Sequence, residues 1–142
     1  MAYEGEHVYG CAATLFPWHL TFAITVTGAR WNPCGHALLN VGGTTGHYFH
    51  IAGDGYDRPF MLRGSSAYMR YLRENGKREL RRTLVAISNP QGAQRKLEQL
   101  TARKWLWGMV PHNCATFVEA VVQAGGAKVG LYSNCPSKER WN

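Results

Sequence analysis

The sequence predicts an α+β domain in which an antiparallel sheet packs against a cysteine-bearing helix. Three observations carry this. Short β-branched and aromatic runs follow one another between residues 21 and 62, an apolar stripe at helical period runs through residues 114–124, and no linker or internal repeat divides the 142 residues. That length suits one domain, residues 1–142, with a sizeable core. A 45% hydrophobic and 18% charged composition excludes a disordered tail, and no apolar run reaches the roughly 20 residues of a membrane span.

Residues 1 to 19 hold Gly, Pro and aromatics without periodicity and read as irregular. Thr21 to Thr27 alternates β-branched and aromatic residues, a strand that Gly28 and Trp31-Asn32-Pro33 end. His36 to Val41 is the second strand, closed by the Gly42–Gly46 loop, and His47 to Ala52 is the third. Gly53-Asp54-Gly55 turns the chain, and Arg58 to Leu62 adds a short edge strand to this antiparallel meander. A weakly amphipathic helix over Ser65–Glu74 ends at Asn75-Gly76. Leu80 to Ile87 is a further strand whose apolar end predicts a central, covered position.

Asn89 caps and Pro90 opens a helix that runs to about Trp105, burying Leu97 and Leu100 and turning Arg95 and Lys96 outward. The cluster Trp105, Leu106, Trp107 and Met109 precedes Pro111. In the last helix Phe117, Val118, Val121, Val122 and Ala124 share one face, Asn113 is the N-cap, and Gly125-Gly126 supplies the stop. Its bounds are Cys114 and Ala124.

The net charge of +7 concentrates between Arg58 and Arg103, with Arg78, Arg81 and Arg82 densest. An anionic partner or a solvated basic face both fit. Zinc-finger, RNA-binding and helix-turn-helix patterns are absent from the sequence, so nucleic acid is not the expected partner. The cysteines at 11, 34, 114 and 135 form no CxxC pair, which argues against a metal site; Cys11 and Cys135 could pair across the two ends. The start MAYEGEH lacks the basic and apolar parts of a signal peptide. The expected location is the cytoplasm as made, with any export by a route independent of a signal peptide.

Cys114 is the candidate nucleophile. A thiol at a helix N-terminus faces unpaired N–H groups and the positive end of the macrodipole, which favour the thiolate. Such a nucleophile needs a base and a group to orient it. His36 opens one strand and His50 lies 14 positions on in the next, so the intervening hairpin sets them side by side. His47 leaves its strand on the face opposite His50 and ranks below it. His112, two residues from Cys114 across a turn, is a weaker base, and His7 and His19 carry no partner signal.

The order His36 strand, His50 strand, Cys114 helix resembles the circularly permuted papain-like (NlpC/P60) superfamily of cysteine hydrolases. Within it, His36-Ala-Leu-Leu-Asn-Val-Gly followed by Tyr-Phe-His50 is similar to the two-histidine segment of the lecithin:retinol acyltransferase family, and Asn113-Cys114-Ala-Thr-Phe117-Val118 to its Asn-Cys-Glu-His-Phe-Val. The likeness spans roughly residues 21–126 and departs at Ala115-Thr116, where Glu-His would stand. It implies Cys114 as nucleophile, His36 as general base, His50 as the group orienting it, and neither metal nor organic cofactor. Relatives with this core include cell-wall peptidases and bacterial effector toxins, which implies peptidoglycan or another anionic envelope polymer as substrate and a cognate inhibitor or immunity protein as partner.

Three functions follow as expectations. The first is a peptidoglycan amidase or endopeptidase working through a thioester acyl-enzyme. The second is a phospholipase or acyltransferase on lipid esters. The third is a non-catalytic binding module on the same scaffold.

Overall fold

A computed structural model describes residues 2–7, 15–28, 34–51, 55–57, 59–102, 105–107, 114–128 and 136. Its main sheet takes strands β1 (Glu6–His7), β2 (Thr21–Val26), β3 (His36–Val41), β4 (His47–His50), β6 (Phe60–Arg63) and β7 (Glu79–Val85). They lie in the order β1-β6-β4-β3-β2-β7, every neighbouring pair antiparallel. A second, two-stranded sheet pairs β5 (Gly55–Asp57) with β8 (Trp105–Trp107). The helices of the described residues are α1 (Gly64–Glu74), α2 (Pro90–Thr101) and α3 (Cys114–Ala124). The chain is thus α+β, with an antiparallel sheet against the Cys-bearing helix.

Side chains alternate across the sheet, and both faces are covered. Ala37, Leu39, Val41 and Phe49 point into a core closed by Leu97 and Leu100 of α2 and by Phe117, Val118, Val121 and Val122 of α3. On the opposite face Ile24, Val26, Leu38, Tyr48 and Leu62 meet Tyr68, Tyr71 and Leu72 of α1. This explains why β3 is apolar after His36 at every position but Asn40: Ala37, Leu38, Leu39 and Val41 are each within 1% of complete burial, and the buried Asn40 amide donates to Gly43 O at 2.8 Å and His47 O at 3.2 Å in the turn.

The ends of α2 and α3 obey local chemistry. The Asn89 side chain accepts from the Gly92 N–H at 3.1 Å, with Pro90 in the first turn. At the other end of α3, Ala127 N donates to Val122 O at 2.9 Å and Gly126 N to Gln123 O at 3.0 Å, a Schellman closure. The residue between must be left-handed, and Gly126 has φ +91°. Asn89 N donates to Gly125 O at 2.9 Å, which locks the start of α2 to the end of α3.

Several sequence expectations change. β7 is the outer strand beside β2, with an exposed face, and not a central one. β6 is interior, since the two-residue β1 covers its outer side within a stretch expected to be irregular. α2 stops at Thr101, where the Thr101 hydroxyl turns back to Leu97 O at 3.0 Å, and Trp105–Trp107 forms a strand. The Asn113 cap, His112 and the Cys11–Cys135 pairing lie outside the described residues.

Candidate active site

His36 is the first residue of β3 and His50 the last of β4. The ladder pairs Leu39 with Phe49, so its continuation sets His50 opposite Leu38 and diagonal to His36 on the same face. Their rings meet edge to face with centroids 5.1 Å apart, and His36 Nε2 lies 2.9 Å from His50 Nδ1. His50 Nε2 lies 2.8 Å from the backbone oxygen of Glu4.

That carbonyl sets the direction of the whole chain. A carbonyl oxygen only accepts, so His50 Nε2 carries a proton and donates. In the neutral ring His50 Nδ1 is then an acceptor, so His36 Nε2 must be the donor, and His36 Nδ1, which has no partner among the described residues, carries the lone pair of a base. The tautomers follow from the hydrogen-bond network, the only assignment that satisfies both contacts with neutral rings. Both rings are neutral at physiological pH. Burial, then the neighbouring His50 and Lys77, hold His36 well below the usual imidazole value. Burial likewise takes His50 down to about 4 against the opposing pull of the Glu4 carbonyl. Tyr71 packs against His50, its ring edge to face at 4.8 Å and buried.

Cys114 opens α3, where the backbone amides of Ala37, Ala115 and Cys114 itself favour a charged sulfur. β3 pairs with β4 only from Leu39 onward, which leaves the Ala37 amide available on that side. Ala37 adjoins His36, so sulfur and imidazole stand at the same end of β3. The residue keeps some surface exposure while the sulfur itself is enclosed. Burial pushes the thiol above its ordinary value, and the three amides and Lys77 only partly offset it. The expectation of a thiol lowered by the helix end is therefore reversed: desolvation outweighs the dipole.

Two further groups surround the site. Lys77 is half-buried, its ammonium donating to Thr27 O at 2.9 Å. Burial lowers it, and Glu4 and Cys114 pull the other way. Glu4, raised by burial and lowered by Lys77, holds His50 through its main chain. Sequence reasoning missed Glu4, Lys77 and Tyr71. A main-chain acceptor has no side-chain signature, and only the position of Lys77 directly after Asn75-Gly76 could have marked it.

The other candidates fall elsewhere. His47 lies on the α2/α3 face, its ring 4.9 Å from Phe16. His7 stacks on Phe60 at 4.2 Å, and His19 is exposed. Of the basic cluster, Arg81 donates to Pro136 O at 2.8 Å and Arg82 pairs with Glu79 at 2.8 Å, so two of its three members are already engaged. Cys34 is disulfide-bonded, its partner lying outside the described residues, and Cys114 is a free thiol. Among the described residues, no group of three or more His, Cys, Asp or Glu side chains could hold a metal ion, and no helix is long and apolar enough to cross a membrane. No family model, curated protein or solved structure matches the chain.

Proposed function

We propose that the chain is a cysteine hydrolase of the permuted papain-like type that cleaves an amide bond in peptidoglycan. The observation that supports the reading is the directed relay from the Glu4 carbonyl through His50 to His36, which ends in an Nδ1 without a partner among the described residues, beside Ala37, whose amide favours a charged Cys114 sulfur. A nucleophile, a base and an orienting group are what acyl transfer requires.

In this mechanism His36 Nδ1 takes the Cys114 proton as the sulfur attacks the carbonyl carbon. The tetrahedral oxyanion is met by backbone N–H groups in the first turn of α3. On collapse the C–N bond breaks and the amine leaves with the proton from His36, giving a thioester. Water, deprotonated by the same nitrogen, hydrolyses the thioester and restores the thiol. The His50 bond keeps Nδ1 free throughout and stabilises the transient imidazolium.

The net charge of +7 supports an anionic envelope polymer as substrate. Muropeptides released from purified murein, read by mass spectrometry, test the reading. Wild-type protein should release new fragments and Cys114→Ala none. Release of fatty acid from phospholipid vesicles with intact murein would move the function to a lipase or acyltransferase. Turnover of neither would leave a binding module.

A further inference from the structure

On the face of the sheet that carries α1, a groove of about 590 Å³ opens between α1 and β7. That volume is in the range of small-ligand sites, about 300–1,000 Å³. Tyr48, Tyr68 and Leu72 form its apolar part, and Arg73, Lys77, Arg78 and Arg82 stand around it against one carboxylate among the described residues, Glu79. Glu79 is fully used: it accepts from the Tyr68 hydroxyl at 2.7 Å and from Arg82 at 2.8 and 3.2 Å. Arg73 and Arg78 are exposed and form no ion pair among the described residues. Two guanidinium forks thus line one cavity without a carboxylate partner among the described residues, beside a half-buried ammonium tied to Thr27 O.

The Lys77 end of this groove is the end beside the candidate active site. Lys77 Nζ is tied to Thr27 O, and Thr27 follows Val26, the residue directly opposite His36 in the β2–β3 ladder. The groove's aromatic rings exclude a nucleobase platform. Tyr48 and Tyr68 stack on each other at 4.3 Å and 6°, and Arg82 lies 5.8 and 5.9 Å from their centroids, so little ring face is left for a base to stack on. Planar guanidinium forks match carboxylates in pairs of parallel hydrogen bonds.

We propose that this groove binds the acidic part of the substrate, a short peptide with two or more carboxylates held by Arg73 and Arg78, its scissile amide lying beyond Lys77 toward Cys114. The proposal rests on the amidase reading above and names the recognition element of the same site. Charge spacing, not sequence, would be read: amides in peptides without neighbouring carboxylates would be poor substrates.

Isothermal titration of the Cys114→Ala chain with the free murein stem tetrapeptide tests it directly. Binding at about 50 mM salt should weaken about tenfold at about 300 mM, because exposed charges are screened over about 8 Å at physiological ionic strength. Arg73→Gln/Arg78→Gln should weaken it at least about tenfold with an unchanged melting temperature, while Lys96→Gln on α2 leaves it unchanged. Equal binding of a tetrapeptide whose carboxylates are converted to amides would overturn the proposal, as would an unaffected double variant. Attachment to phosphatidylglycerol vesicles without peptide binding would overturn it in favour of a lipid surface. The two readings fail separately. Wild-type turnover of murein by the double variant refutes the groove and leaves the hydrolase standing, whereas murein cleavage by Cys114→Ala refutes the hydrolase whatever the groove binds.

Discussion

Replacing His50 by Gln tests the buried imidazole relay through stability, with no need to know the substrate. A glutamine amide can donate to the Glu4 carbonyl and accept from His36 Nε2, so it keeps both of His50's hydrogen bonds and removes only its titration. In the folded chain His50 titrates at about 4, against 6.5 when unfolded. Between those values the unfolded state binds a proton that the folded state refuses. Stability is therefore full above pH 6.5 and is lost as pH falls towards 4, by about 3 kcal/mol for this group. His36, also held down by burial, adds loss of the same sign. Urea denaturation followed by tryptophan fluorescence at pH 7, 5.5 and 4 measures this. The wild-type chain should lose about 3 kcal/mol more between pH 7 and pH 4 than His50→Gln does. If the two lose stability in parallel, His50 is not buried as a neutral ring and the relay is wrong.

Three further outcomes are expected. His36→Ala should lower murein turnover nearly as far as Cys114→Ala, by a factor of about 10³ or more, while His47→Ala on the other face stays near wild type in the same assay. Iodoacetamide should label Cys114 more slowly than a free thiol at pH 7 and accelerate up to and beyond pH 9, since burial raises the thiol; fast labelling at neutral pH would show a thiolate instead. Gly46→Ala should lower stability by about 1–3 kcal/mol in thermal unfolding, because its new methyl would run into the Val41 carbonyl and Gly42 backbone at the β3–β4 turn.

Local signals located most elements, and long-range pairing decided what they missed. β3 and α3 were legible to the residue because turn glycines bound them: Gly35 and Gly42 flank one, and Gly125-Gly126 ends the other. The hairpin through Gly42–Gly46 predicts that His36 and His50 stand side by side; the register sets His50 opposite Leu38 and diagonal to His36, still within hydrogen-bond distance. The place of β7 was not legible. Its apolar residues include Leu84, which is 58% exposed on the outer strand, so composition pointed inward while sheet order put it outside. α2 overran its end because neither Gly nor Pro marks Thr101, and Trp105–Trp107 is a strand only through its partner β5. In the site, residue types were readable and environment was not. The dipole at Cys114 is a local property, whereas the desolvation that overrides it depends on β3 lying against the helix start.

That override determines how the proposed reaction would depend on pH. A thiolate–imidazolium pair needs a thiol that titrates below its base, but here burial moves Cys114 up and His36 down, so the resting site holds a thiol and a neutral ring. The proton then moves only when a carbonyl is in place and the developing oxyanion meets the α3 amides. The active form is the one with a single proton shared by sulfur and nitrogen. It exists between the loss of the imidazolium proton, well below 6.5, and the loss of the thiol proton, above 9. kcat/KM should accordingly be flat from below pH 6.5 to about pH 9. Above that it should decline, since a site without the shared proton cannot protonate a departing amine. A narrow bell with both limbs between pH 6 and 8.5 would mean that thiol and base have exchanged their order of titration, and that the enclosed sulfur opens to solvent in the working enzyme.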